Sequence, residues 1–242
     1  MAPIESALVR KLGSFIRLAP AELTLLAEIQ SHRRHVGKQT ELVHEGQSGH
    51  RAFILQEGWA SCYKILPDGG RQIITFSLPG DCMGLRSVLL RTSDHSFAAI
   101  TDAVVSDIPS NRIISLFHDH PRIGAAILWA ASRDEAMTVE HLVNIGRRSA
   151  IDGMAHLILE LWERLRLVGM ATQAGFDCPL NQNALADALG LSVIHVNRVL
   201  RQLREKGLMT FLAHKVIIHD LAGLRALAQY DSGYLDQSEP PI

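Results

Sequence analysis

Residues 180–208, LNQNALADALGLSVIHVNRVLRQLREKGL, determine the fold that this sequence predicts. Asn181 and Ser192 can each cap a short helix, because small polar side chains accept hydrogen bonds from the free N–H groups of a first turn. Gly190, between them, permits a tight turn. The apolar residues that face inward are Leu185, Ala186, Leu189, Val193, Val196, Val199, Leu200 and Leu203. Two short helices joined through glycine predict a helix-turn-helix.

The outward face of the second helix has the residues expected for nucleic-acid recognition. Its polar members are His195, Asn197, Arg198, Arg201, Gln202 and Arg204. Over residues 192–215, five arginines and lysines are opposed by Glu205 alone. Arginine can pair with guanine and asparagine with adenine, while later arginines suit phosphates. The alternative is a solvated amphipathic helix with ordinary surface arginines.

The chain after this helix favours the DNA-binding interpretation. Met209–Leu212 and Lys215–His219, joined at Ala213-His214, predict a two-stranded wing. The wing, the glycine turn and both helix caps all fit one winged helix-turn-helix. A solvated helix with ordinary surface arginines would require none of them.

The segment from about Arg33 to Pro109 consists of short β-type runs cut by glycine. The predicted strands are Glu41–Val43, Ala52–Leu55, Ala60–Ile65, Gln72–Ser77, Phe97–Thr101 and Ala103–Ile108. Many short strands at regular spacing indicate a sandwich or barrel. Residues 5–30 precede them as two short helices broken at Ala19-Pro20.

Residues 110–169 predict helix with one interruption at 145–148. Within Pro121–Ile145, two apolar stripes run along the helix, one through Ile123, Ile127, Ala130, Met137 and His141, the other through Ala125, Leu128, Ala131, Val139 and Leu142. A helix that is apolar on two faces must be covered on both. The β-rich segment of the same chain can cover one face. The other face is covered either by the same helix of a second subunit or by further parts of the same subunit.

Composition narrows the class of protein. The chain has 242 residues, 47% of them hydrophobic, and a formal net charge of −1. Its longest nearly apolar run, Ile123–Ala131, is far shorter than a membrane span. Three scattered cysteines without a CxxC pair indicate a reducing compartment, and we expect a cytoplasmic protein without catalytic residues.

These features together resemble the CRP/FNR family of bacterial transcription regulators across about residues 15–225. The likeness is most specific in GRRSAIDGMAHLILEL, residues 146–161, and in the helix-turn-helix. It implies an α+β fold with an N-terminal jelly-roll or β-roll sensor domain (1–120), a dimerisation helix and hinge (121–146), a winged helix-turn-helix domain (147–230) and a tail (231–242). It also implies a homodimer on a palindromic double-stranded operator, with RNA polymerase as a further partner.

The resemblance also assigns roles within the helix-turn-helix. Ile194, Asn197 and Arg198 occupy the main base-reading positions, while Gln182 and Ser192 occupy phosphate-contacting ones. His195 and Arg201 lie on the same face. Glutamate is frequent in the family at the position of Ile194, which can make only apolar contact, for instance with a thymine methyl. We therefore expect an operator unlike the best-known half-sites.

The sensor region departs from the cyclic-nucleotide-binding members. Leu85 stands where they have a ribose-binding Glu, and His95 stands where they have a phosphate-binding Arg. A leucine cannot hydrogen-bond a ribose, and a neutral histidine poorly replaces a guanidinium. Cyclic AMP is therefore disfavoured, although Arg86 could turn inward. The candidate pocket residues are Gly84, Leu85, Arg86, Ser87, His95 and Ser96, and the effector is unknown.

The sequence also lacks the residues that other types of sensor domain require. No cysteine cluster exists for an iron–sulfur centre, and neither His44, Glu45 and His50 nor His118-Asp119-His120 has metal-ligand spacing. We expect no metal site, although a haem with a single axial histidine stays open. Cys178, Cys82 and Cys62 are redox candidates. The alternative functions are a cupin-like small-molecule or metal-binding protein without DNA binding, and a family member without an effector.

Overall fold

The computed structural model describes residues 6–48, 51–85, 88–90 and 92–235. These residues form two compact units. One contains the described residues up to Lys64 together with Phe76–Asp134; the other contains Ile65–Thr75 and the described residues from Glu135 onward. Helix and sheet are mixed, with a β-rich N-terminal region and a helical C-terminal region, which confirms the predicted fold class.

The first part of the chain contains two helices and eight strands. The helices are α1 (Ala7–Gly13) and α2 (Pro20–Ile29), and the strands are β1 (Arg33–Val36), β2 (Glu41–Val43), β3 (Arg51–Glu57), β4 (Ala60–Ile65), β5 (Arg71–Ser77), β6 (Cys82–Met83), β7 (Ser96–Ala99) and β8 (Ala103–Pro109). They form two four-stranded sheets, ordered β1-β8-β3-β6 and β2-β7-β4-β5. The six predicted strands are confirmed, with shifts of a few residues at their ends.

Helix α1 is fixed to the sheets by a buried ion pair and by close backbone packing. Lys11 Nζ lies 2.8 Å from Asp81 Oδ1, and the Lys11 side chain is almost fully buried. The second carboxylate oxygen of Asp81 accepts a hydrogen bond from the backbone N–H of Leu78. Gly80 has φ +90°, and a Cβ there would lie 2.8 Å from the backbone of Ala7. Glycine is therefore required at this corner.

Two helices follow the strands, α3 (Ser110–Asp119) and α4 (Pro121–Gly146). Helix α3 ends before Pro121 and α4 begins at it, because proline suits a first helical turn but not a helix interior. Along α4, Ile123, Ala130 and Met137 are buried. The other apolar stripe is exposed at three positions, Leu128, Val139 and Leu142, which are 60%, 56% and 71% accessible.

The C-terminal region is built around a central helix, α5 (Ala150–Leu167). It is followed by β9 (Ala171–Thr172), β10 (Gly175–Asp177), α6 (Gln182–Leu189), α7 (Val193–Glu205), β11 (Met209–Leu212), β12 (Lys215–Ile218) and α8 (Leu221–Ala228). The strands form one sheet in the order β11-β12-β10-β9. Helix α5 packs against α6, α7 and α8, so its sides are nearly all buried.

A carboxylate lies inside this helical core. Glu160 on α5 is fully buried, and His141, Arg164 and the Tyr234 hydroxyl all contact it, at 3.0, 3.5 and 3.0 Å. Burial alone would raise the pKa of Glu160, but the facing His141 and Arg164 lower it to about 2. The carboxylate is therefore charged and multiply paired, as a buried charge must be.

His141 joins three segments of this unit. Its Nδ1 lies 2.7 Å from the carbonyl oxygen of Ile74, and its Nε2 lies 3.0 Å from Glu160. Both partners are acceptors, so both ring nitrogens must carry hydrogen and the ring is an imidazolium. Burial alone would lower the pKa of His141, but the Glu160 carboxylate and the two hydrogen bonds raise it above its usual value. Nearby His156 is neutral, because burial and Arg148 lower its pKa to about 4.

We predict that Glu160→Gln lowers the free energy of unfolding by about 3–5 kcal/mol, because it leaves buried cations without a counter-charge. Urea denaturation followed by circular dichroism measures the change. Glu205→Gln is the control: its exposed pair with Arg201, at 2.7 Å, should be worth less than about 1 kcal/mol. Equal losses in the two variants would contradict this account of the core.

We also predict a pH-dependent contribution from His141. A histidine whose folded pKa is raised stabilises the fold fully below its unfolded pKa of about 6.5 and loses that contribution as pH rises through the folded value. The stability difference between the wild type and His141→Gln should therefore be largest below about pH 6.5 and shrink as the pH rises above it. His118→Gln, at an exposed histidine, is the control. A difference that stays constant as the pH rises would show that His141 is not charged in the fold.

Candidate nucleic-acid interface

The helix-turn-helix forms as its sequence predicts. The Asn181 side chain accepts a hydrogen bond from Ala184 N at 2.8 Å, and Ser192 Oγ accepts one from His195 N at 3.2 Å. Both predicted helix caps are confirmed. Gly190 has φ +64°, the left-handed conformation that glycine adopts without strain.

One row of apolar residues fixes how α7 is rotated. Val196, Val199, Leu200 and Leu203 are buried, and α7 packs on α5, α6 and β11. The expectation that Val193 also faces inward is wrong, since its exposed fraction is 40%. Val193 is the first residue of the helix and precedes the buried row.

The opposite side of α7 is open and polar, apart from Ile194. Ile194 is 76% accessible, and Asn197 and Arg198 are also exposed. No partner for the Arg198 guanidinium occurs among the described residues. Arg201 is exposed one turn further along and forms an ion pair with Glu205 at 2.7 Å. His195 lies beside them and is partly buried.

Gln182 of α6 borders this face, and two other residues of α6 contact a distant part of the chain. Gln182, partly exposed, accepts a hydrogen bond from the Asn197 side chain at 3.4 Å. Asp187 pairs with Arg71 at 2.7 Å, and Gln72 donates to the carbonyl oxygen of Ala188 at 3.3 Å. The contacts of Arg71 and Gln72 join residues more than a hundred positions apart, so no local sequence pattern predicts them.

The predicted wing is present as the hairpin β11–β12. Met209 pairs with Ile218 and Leu212 with Lys215 in antiparallel register. Ala213 and His214 form the turn, both with positive φ. That conformation at two central positions belongs to the tight turns that match the twist of a hairpin.

Comparison with known proteins agrees with this architecture. Residues 33–120 match the cyclic nucleotide-binding domain, and residues 154–227 match the Crp-like helix-turn-helix domain. The nitrogen fixation regulation protein FixK of Bradyrhizobium diazoefficiens is 32% identical over 177 residues, 73% of either chain. This chain belongs to the CRP/FNR family. It is a DNA-binding transcription regulator, and members of its family bind DNA as dimers.

Two further relatives agree with this membership. The transcriptional activatory protein AadR of Rhodopseudomonas palustris is 29% identical over 223 residues, which cover 91% of this chain and 90% of AadR. Among solved structures, FixK2 of Bradyrhizobium japonicum has a TM-score of 0.74 at 24% identity, covering 82% of this chain and 98% of that one. The structural likeness shows a shared fold.

The described candidate effector residues of this CRP/FNR regulator lie in two places, His95 and Ser96 at the start of β7 and Gly84 and Leu85 directly after β6. His95 is buried, with Nδ1 2.6 Å from Asp94 and its ring edge-on to Phe97. Ser96 is buried and accepts a hydrogen bond from Glu45 N. Leu85 is partly buried, and Gly84 packs against the backbone of Arg51. Arg86 and Ser87 lie outside the described residues.

The three cysteines lack the features of reactive thiols. Cys62 and Cys178 are buried, and burial raises the pKa of Cys178 and of Cys82 to about 12. The thiolate is the reactive form, so both groups are protonated and unreactive near neutral pH. This chemistry disfavours a redox role for Cys82 and Cys178, and the role of Cys62 stays a prediction.

The histidine groupings have local partners. His44 Nδ1 lies 3.1 Å from Glu41, and His118 Nδ1 lies 2.7 Å from Asp119, while His50 is outside the described residues. The described part of the chain contains no group of three or more potential metal ligands.

None of its described helices is long and apolar enough to cross a bilayer.

Proposed function

We propose that this regulator recognises its operator through the exposed face of α7. Ile194, Asn197 and Arg198 contact base edges in the major groove, where the first residues of a recognition helix lie. Gln182, Ser192, His195 and Arg201 contact the backbone around them. The observation that carries this assignment is the exposed Arg198 guanidinium, on the side of α7 opposite the buried row.

The three base-contacting residues differ in chemistry. Arg198 presents a fork that matches O6 and N7 of guanine, and Asn197 matches the N6 and N7 groups of adenine. Ile194 has no polar side-chain atom, and it suits the methyl group of thymine. The operator half-site therefore combines a guanine, an adenine and a thymine within reach of one helix.

The exposed stripe of α4 supports a homodimer. Leu128, Val139 and Leu142 recur on one side of the helix, and a two-fold axis would pack this stripe against its own copy. A two-fold protein suits a palindrome whose half-sites lie about 34–36 Å apart, one DNA turn. RNA polymerase is the further partner that the family resemblance suggests, and the bacterial cytoplasm is where these partners meet.

We assign residues 1–120 to the sensor, 121–146 to the dimerisation helix and hinge, 147–230 to DNA binding and 231–242 to a tail. The sensor biases the dimer between two arrangements of the hinge at Gly146, where a substituted Cβ would meet no other group within 4 Å. Leu85 and the His95–Asp94 pair favour an effector other than cyclic AMP, or no effector. We assign no catalytic residue.

We predict that Arg198→Ala weakens specific binding by about 1–3 kcal/mol and relaxes the preference for guanine at one position of each half-site. The duplex is an operator selected in vitro by the full-length wild type, and fluorescence anisotropy measures affinity. Arg17→Ala, at an exposed arginine between α1 and α2, is the matched control. Unchanged operator affinity in the Arg198 variant would reject the assignment.

We predict that Leu142→Glu converts the dimer to a monomer, because it places like charges across the apolar two-fold contact. Sedimentation equilibrium measures the mass, and operator binding should weaken in parallel. Ile114→Glu on α3, at a site 54% accessible, tests whether any exposed charge has this effect. A Leu142→Glu protein that stays dimeric would place the subunit contact elsewhere.

A further inference from the structure

The side chains of Gln182 and Asn197 are hydrogen-bonded across the helix-turn-helix. Gln182 is the first residue of α6, and Asn197 is the fifth residue of α7. The Asn197 Nδ2 group donates to Gln182 Oε1 at 3.4 Å. Their backbones are held by the core beneath, where Leu185 and Val196 are fully buried. The two amides therefore meet at a geometry that the fold defines.

In this contact the Asn197 amide donates and the Gln182 amide accepts. An asparagine side chain has one acceptor oxygen and two N–H donors. Gln182 takes one donor and leaves Oδ1 and the second N–H available. That pair matches adenine, whose N6 donates and whose N7 accepts in the major groove. Exchanging the oxygen and nitrogen of the Asn197 amide alone would set two acceptors, Asn197 Oδ1 and Gln182 Oε1, against each other, so the contact survives that exchange only if the Gln182 amide turns as well.

We propose that Gln182 is a positioning residue that orients Asn197 to recognise adenine in each operator half-site. The inference rests on the proposed role of α7 and adds the residue that orients Asn197 toward adenine. The Gln182 amide also has two N–H donors, which suit a DNA phosphate. The Gln182 side chain thus joins a phosphate contact made by α6 to base recognition by α7.

Selection from a duplex library with a randomised two-fold symmetric half-site tests the proposal on the full-length protein. The wild type should select adenine at one position, and Asn197→Ala should lose that preference alone. Gln182→Ala should also lose it, with discrimination between adenine and the other bases falling about 5- to 100-fold. The preferences due to Arg198 and Ile194 should remain.

Two variants separate positioning from simple phosphate contact. Gln182→Glu keeps an acceptor for Asn197 but places a negative charge near phosphate, so it should weaken overall binding and still select adenine. Asn183→Ala, at an exposed neighbour in α6, should change neither property. If Gln182→Ala binds more weakly but keeps its preference for adenine, the positioning role is overturned.

A modified operator gives a second readout. With 7-deazaadenine at the selected position, the acceptor N7 is missing, and wild-type affinity should fall. Gln182→Ala should show little further loss, because its Asn197 no longer uses that atom. A full loss in Gln182→Ala would overturn the inference while leaving the proposed function intact. A wild type that selects no common half-site would instead reject the proposed function itself.

Discussion

The burial of one side of α7 is the constraint on which the recognition surface depends. Val196, Val199 and Leu203 are almost completely inaccessible, and their spacing allows only one rotation of the helix about its axis. Turning the helix would expose these side chains, at about 1.5–3 kcal/mol each, and would bury Arg198 without a partner. The outward position of Asn197 and Arg198 is therefore a consequence of core packing, and it exists before DNA is present.

The same core contains a charged cluster that includes His141 near the end of α4. Helix α5 supplies the apolar surface beneath α7 and also Glu160, which His141, Arg164 and Tyr234 surround. Buried pairs of this kind contribute less to stability than well-packed apolar groups, but removing one partner is costly. His141 also bonds the backbone of Ile74. The cluster thus makes the arrangement of four separate segments depend on one set of hydrogen bonds.

The sequence predicted features whose causes are local. Capping by Asn181 and Ser192, the turn at Gly190 and the outward polar face of α7 follow from residue type and helical spacing, and so do the six strands expected between Arg33 and Pro109. The strand β1 was not predicted, because its first three residues, Arg33, Arg34 and His35, are polar and exposed. The Glu160 cluster and the Arg71–Asp187 pair join distant positions, which periodicity does not reveal. Leu85 and His95 do not identify an effector, because ligand recognition depends on the shape of a whole site.

The central claim is that α7 recognises base edges in the major groove of a two-fold operator. Methylation interference with dimethyl sulfate on a selected operator tests it directly, since the reagent modifies guanine N7 in the major groove and adenine N3 in the minor groove. We expect methylation of guanine N7 to block binding at one position in each of two symmetric half-sites. Interference confined to adenine N3, or at a single half-site, would contradict the account.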